Sequence, residues 1–299
     1  MTQSVTSVST AQDALTPVPA DSPIQQFIRR FSRQKLAIAA FFVLAVLFLV
    51  SITGPVISPY DPIKPDYNAL LQPSSAQHLL GTDEFGRDIL SRIIHGTRIS
   101  ITVSLSSVFL GSLIGTFFGL TAGYYGGRYD SLVMRTCDVM FAFPGILQAI
   151  AIIAILGPGL HNVVVAVAIY TIPQFVRIIR GSTLALKNMM YIEAARAVGI
   201  PDRQIIWKHI FPGTFSVALV YFTMRIGSAI LIAASLSFLG LGAQPPMPEW
   251  GAMLSSGRDY LMSASHVALY PGLAILITCL AFNLFGDGLR DALDRKIVD

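Results

Sequence analysis

Six apolar runs, each long enough to cross a lipid layer as a helix, set the pattern of hydrophobic and polar positions along this chain. The first covers residues 36–57 and holds 22 residues without a charge. At about 1.5 Å per residue such a helix spans roughly 33 Å, against a hydrocarbon core of about 30 Å. The other five lie near residues 99–124, 133–156, 162–179, 215–239 and 267–285. Within the second run, Gly111, Gly115 and Gly119 recur at every fourth position. That stripe of small residues predicts the close approach of another helix.

The polar intervals carry the rest of the pattern. Residues 58–98 open on Pro59, Pro62, Pro65 and Pro73, which predict an extended start. The stretch GTDEFGRDILSRIIHG follows, from Gly81 to Gly96. Phe85, Ile89, Leu90, Ile93 and Ile94 share one helical face there, so it reads as an amphipathic helix at the outer membrane surface. Thr82 or Asp83 would cap its start and Gly96 its end. Capping and surface solvation account for Asp83, Glu84 and Asp88 better than a cation site does.

Residues 181–213 predict helix, break, helix. Good helix formers fill the stretch from Met189 to Val198, Gly199 suits a left-handed terminus, and Pro201 suits the first turn of a second helix. Asp202 would complement the positive end of that helix, which is expected to stop near Phe211, before Pro212. Ala194 and Ala195 leave a face of small side chains, with Tyr191, Ile192 and Val198 as apolar anchors. An apolar, small-residue face on a loop outside the membrane marks a docking surface.

Composition agrees with lipid as the solvent. The 299 residues are 53% hydrophobic and only 13% charged, where a soluble domain carries about 25% charged residues. The net charge of +4 comes from scattered Lys and Arg, which act as topology signals and leave no basis for nucleic-acid binding. With the amino terminus inside, fifteen of the 21 basic residues fall in cytoplasmic segments. Lys64, Arg87, Arg92, Arg98 and Arg258 fall outside, and Arg225 lies within the fifth run. Both termini are therefore expected in the cytoplasm. Residues 1–24, rich in Ser, Thr and Pro, predict a disordered tail and lack a signal-peptide pattern.

Chemical signatures are few. Cys137 and Cys279 sit in apolar runs, where buried inert thiols are expected. The five histidines form no metal-binding spacing. No P-loop sequence occurs; the nearest candidate, starting at Gly181, has Leu186 in place of the second glycine. No cofactor or metal is therefore expected on this chain, and any ATPase must be another polypeptide. An ion-coupled carrier would show paired acidic residues or broken helices in repeated halves. An intramembrane hydrolase would need a nucleophile and base at matching depth. Neither pattern stands out.

The segment EAARAVG, from Glu193 to Gly199, is followed eleven to thirteen residues after its glycine by IFP. It resembles the EAA loop of binding-protein-dependent ABC importers, which implies a coupling helix docked in a groove of the ATPase subunit. On that resemblance Tyr191, Glu193, Ala194, Ala195, Gly199 and Pro201 form the coupling loop. GTDEFGRDILSR, SLSFLGLGAQPPMPEWGAML and AFNLFGDGLRDALD resemble the C-type permeases of the peptide and nickel importer subgroup. MRTCDVMFAFPGILQAIAI and VALVYFTMRIGSAIL are similar to glutathione-importer permeases in particular.

The resemblance implies an all-α integral membrane protein with six transmembrane helices. It would have the type I ABC importer permease fold with an extra N-terminal helix. Residues 25–96 would form that helix and the external segment, 97–286 the permease domain, and 287–299 a cytoplasmic tail. It also implies a second permease subunit, two ATPase subunits, an extracytoplasmic substrate-binding protein and a surrounding lipid membrane. The cargo would be glutathione or another short peptide, with nickel or another small solute as the alternative. Arg225 is costly in mid-span, so it needs a role. It pairs with a carboxylate such as Asp138 or with backbone carbonyls, offers a positive stop for an anionic cargo, or snorkels to a boundary, which a mid-span residue does poorly.

Overall fold

The structure is a computed structural model that describes residues 23–293. The expected disorder of residues 1–24 therefore falls almost wholly outside the described residues, as do Arg295 and Lys296 from the charge count. Among the described residues every extended element is a helix. A short helix α1 (Pro23–Phe31) leads into α2 (Lys35–Ile57). The bundle continues with α3 (Ile89–Tyr125), α4 (Gly127–Phe141), α5 (Gly145–Leu156) and α6 (Leu160–Lys187). Beyond the segment 188–210 come α9 (Phe211–Phe238), a short α10 (Trp250–Gly257) and α11 (His266–Leu293). Within 188–210 lie α7 (Met190–Ala197) and a three-residue α8 (Asp202–Gln204), extended by a wide π turn over Ile205–Ile210.

Close backbone approach organises the bundle. A Cβ on Gly111 would fall 2.7 Å from the Ala168 carbonyl, on Gly115 2.5 Å from Phe175 Cβ, and on Gly119 2.9 Å from Ile179 Cβ. The expected stripe is thus the contact of α3 with α6, and Gly123, against Thr183, extends it by one turn. Contact numbers rise together on both helices, so α3 and α6 run parallel. The chain between them must return across the layer, which makes the bent pair α4–α5 one crossing. Contacts of α9 with α6 (Tyr221 on Phe175), α9 with α11 (Gly227 on Cys279) and α2 with α11 (Phe48 on Phe282) are antiparallel. Among the described residues five helices are long and apolar enough to span, and the bent pair makes six.

Four sequence expectations change. The third span is not straight: α4 and α5 meet at 91°. Pro144 disfavours helical geometry at Phe143, and the chain leaves the helix there. The amphipathic surface helix at 82–96 does not form. The Asp83 carboxylate accepts from the Phe85 and Arg87 amides, both at 2.9 Å, and holds a turn instead. Helix α3 then starts at Ile89, capped by Asp88 through the Ser91 amide at 2.7 Å, and runs through Gly96 into the membrane. Nor is that cluster solvated: Asp83, Arg87, Asp88 and Arg92 are all buried. Finally, the second loop helix does not stop at Pro212. The Phe211 amide reaches five residues back to the Ile206 carbonyl, and this wider turn lets the chain pass the proline into α9.

The end expected to face outside is closed by two of the quoted motifs packed together. Arg92 donates to the Pro62 carbonyl at 2.8 Å and the Pro246 carbonyl at 3.4 Å. Trp250, fully buried, donates from Nε1 to the Ile93 carbonyl at 3.2 Å. Gly96 is the point of contact, since a Cβ there would meet the Pro248 carbonyl at 2.5 Å. Cys137 and Cys279 are buried and unpaired.

Candidate functional site: the loop helix and the mid-span arginine

Helix α7 ends at a turn the sequence marks clearly. Gly199 has φ +80, with open space around its Cβ position. The Gly199 amide donates to the Arg196 carbonyl at 2.9 Å and the Ile200 amide to the Ala195 carbonyl at 3.1 Å. This pair of bonds is the Schellman termination that a left-handed glycine permits. Pro201 then sits just before α8.

The two faces of α7 differ. Ile192 and Ala195 are buried against Ile205, Ile206, Ile210, Leu120 and Ile179, a small core that ties the loop to α3 and α6. Ala195 is thus a packing residue, and the expectation that it shares the docking face with Ala194 is corrected: one residue apart on a helix, the two side chains point about 100° apart. Met190, Tyr191, Glu193, Ala194 and Val198 are exposed, as are Gly199 and Pro201. Met190 and Val198 are 84% and 76% exposed, so the outer face is apolar and no other described residue covers it.

Tyr124, at the end of α3, is the strut beneath this loop. Its hydroxyl donates to the Asp202 carboxylate at 2.5 Å, and the Arg196 guanidinium lies 5.1 Å over its ring. Lys187 donates to the Tyr124 carbonyl at 2.5 Å. Sequence reading missed this tyrosine, because a Tyr near the end of an apolar run reads as a membrane-interface residue. Asp130 forms a two-pronged pair with Arg180, at 2.5 and 2.6 Å, fixing α4 to α6.

Arg225 lies halfway along α9. Its guanidinium sits 5.5 Å from the ring centre of Tyr170 on α6 and 6.0 Å from that of Tyr221 on α9. Its Nε is buried and makes no hydrogen bond. The expected pairing with Asp138 does not occur, because Asp138 is taken by Arg177 at 2.7 Å in an exposed pair. The Tyr221 hydroxyl donates to Gln174 Oε1 at 3.4 Å. A groove of about 520 Å³, lined by Ser216, Val217, Val220, Tyr221, Met224 and Arg290, reaches up to this tyrosine. Among the described residues no group of three His, Cys, Asp or Glu side chains is placed to hold a metal.

Residues 115–299 match the family described as binding-protein-dependent transport system inner membrane component. Residues 22–73 match the N-terminal transmembrane domain of oligopeptide transport permease C. The glutathione transport system permease protein GsiD of Pectobacterium atrosepticum is 55% identical over 277 residues, 92% of each chain. Its counterpart in Escherichia coli O157:H7 is 53% identical over 291 residues, 97% of this chain and 96% of that one. Among solved structures, the inward-facing MetNI methionine ABC transporter has a chain that aligns with a TM-score of 0.55 at 20% identity. The alignment covers 69% of this chain and 98% of that one, and shows a shared fold.

Proposed function

The chain belongs to the binding-protein-dependent transport system inner membrane components, and from that premise we propose that it is the peptide-conducting permease of a glutathione importer. It is a multi-pass inner-membrane subunit of an ABC transporter. Identity of 53–55% over nearly the whole length with glutathione permeases carries the choice of cargo. In this reading α7 is the coupling helix. Tyr191, Ala194 and Val198 press into an ATPase subunit, Glu193 lies at the rim, and Gly199 with Pro201 sets the angle of approach.

The remaining parts of the assembly follow. A second permease completes the pathway, two ATPase chains hydrolyse ATP, and a soluble binding protein delivers cargo from outside. This chain itself holds no cofactor. Both its termini lie in the cytoplasm. Moving an alternating-access equilibrium from 1:99 to 99:1 takes about 5.5 kcal/mol of differential binding, which the two α7-type contacts must transmit.

The test is uptake of radiolabelled glutathione by cells lacking their own importer and supplied with this permease, its partner permease, the ATPases and the binding protein. Uptake that requires this chain and ATP supports the reading. ATP-dependent uptake of nickel without glutathione uptake would replace the cargo, and uptake independent of ATP would overturn the transporter class.

A further inference from the structure

Arg225 lies midway along α9, and among the described residues no carboxylate forms an ion pair with it. Its Nε is buried and makes no hydrogen bond, and its guanidinium lies 5.5 Å from the Tyr170 ring centre and 6.0 Å from that of Tyr221. The nearest carboxylate the sequence suggested is committed to Arg177. A charge that served only to hold the bundle would be paired permanently, since an unpaired one is costly at this depth. Arg180 with Asp130 shows that the fold makes such a pair when structure is the purpose.

A second feature converges on the same place. The break between α4 and α5 sets the start of α5 against Tyr170, so closely that a Cβ on Gly145 would overlap the ring. The first turn of α5 has no side-chain cap. Its free N–H groups carry the positive end of the helix dipole, the arrangement in which broken membrane helices meet an anionic group. The groove beside Tyr221 leads from the end of α11, near Arg290, to within one helical turn of Arg225.

We propose that Arg225, flanked by Tyr170 and Tyr221, with the start of α5 packed on Tyr170, is a binding station for a carboxylate of the cargo in transit. The guanidinium supplies the charge, and the two rings hold it in place by cation–π contact while its outer N–H groups stay free. The break at Pro144 serves the site by presenting helix N–H groups at mid-depth. This inference rests on the proposed function, in which the cargo is a peptide with free carboxylates.

The experiment uses the whole complex in proteoliposomes with loaded binding protein, and reads labelled glutathione imported, ATP hydrolysed and the ratio between them. Arg225→Gln is expected to lower the ratio by about tenfold, the loss of one charged hydrogen bond, while ATP hydrolysis stays within about twofold of wild type. Arg225→Lys keeps a charge over the rings and is expected to recover at least about half the ratio. A merely structural arginine would instead lower assembly and ATP hydrolysis together, in both variants, and that result overturns the station. So does an unchanged ratio in Arg225→Gln. If the wild-type complex imports a different carboxylate-bearing peptide, the choice of glutathione fails, and the same ratio is read with that peptide. Import restricted to cargo without a carboxylate overturns both.

Discussion

The carboxylate of Glu249 joins two parts of the fold that lie 149 residues apart in the chain. It accepts from the Ala252 amide at 2.9 Å, capping α10, and from the Ser100 hydroxyl of α3 at 3.3 Å. The side chain is almost wholly buried. Loss of water pushes its pKa above the ordinary glutamate value of about 4.5, while the amide and hydroxyl donors pull it back. The folded protein thus holds this proton more tightly than the unfolded chain does. The associated stability is fully present below about pH 4.5 and is lost as pH rises through the elevated folded value. The Glu249 contribution to the melting temperature of the purified complex should therefore shrink as pH is raised above about 4.5, and Glu249→Gln should flatten that slope. Equal slopes in the two proteins would remove the raised pKa of Glu249 as a source of pH-dependent stability.

At the scale of elements, α7 is the part whose shape predicts a phenotype. Gly199 needs φ +80, and a β-branched residue there costs about 1–3 kcal/mol of backbone strain. Gly199→Val should tilt α7, and Ala194→Glu should place a charge on its apolar outer face. Both variants should reach the membrane at wild-type levels, lose co-purifying ATPase chains and lose most ATP-driven uptake. Normal uptake by both would remove α7 from the coupling role. This element was legible in the sequence because glycine, proline and helix formers act locally. The six apolar runs and the Gly111–Gly115–Gly119 stripe were legible for the same reason, since depth and close approach each leave a direct compositional mark. The bend at Pro144 was hidden by apolar residues on both sides, which report depth and say nothing of direction. The turn held by Asp83 was hidden because a carboxylate bonding nearby amides looks, in sequence, like a helix cap. Arg225 was legible as an expense, while Tyr170, whose ring its guanidinium lies over, comes from another helix and left no local trace.

Across the whole molecule the crossings alternate. Helices α2, α4–α5 and α9 run one way, and α3, α6 and α11 the other, as the pairing of contacts along them requires. An even number of crossings brings residues 23 and 293 out on one side, and Phe31 of α1 does meet Phe285 of α11. The excess of Lys and Arg on that side predicts that it is the cytoplasm. Cysteines placed at Ser75, Ser256 and Met190 would decide it, because all three positions are exposed. The two native thiols are buried, so background labelling should be low. In intact spheroplasts an impermeant thiol reagent should label Ser75→Cys and Ser256→Cys but spare Met190→Cys. After permeabilisation Met190→Cys should label as well, and more slowly when the ATPase chains are bound, since they would cover the same face of α7. Labelling of Met190→Cys in intact spheroplasts would invert the topology and leave α7 on the wrong side to meet an ATPase.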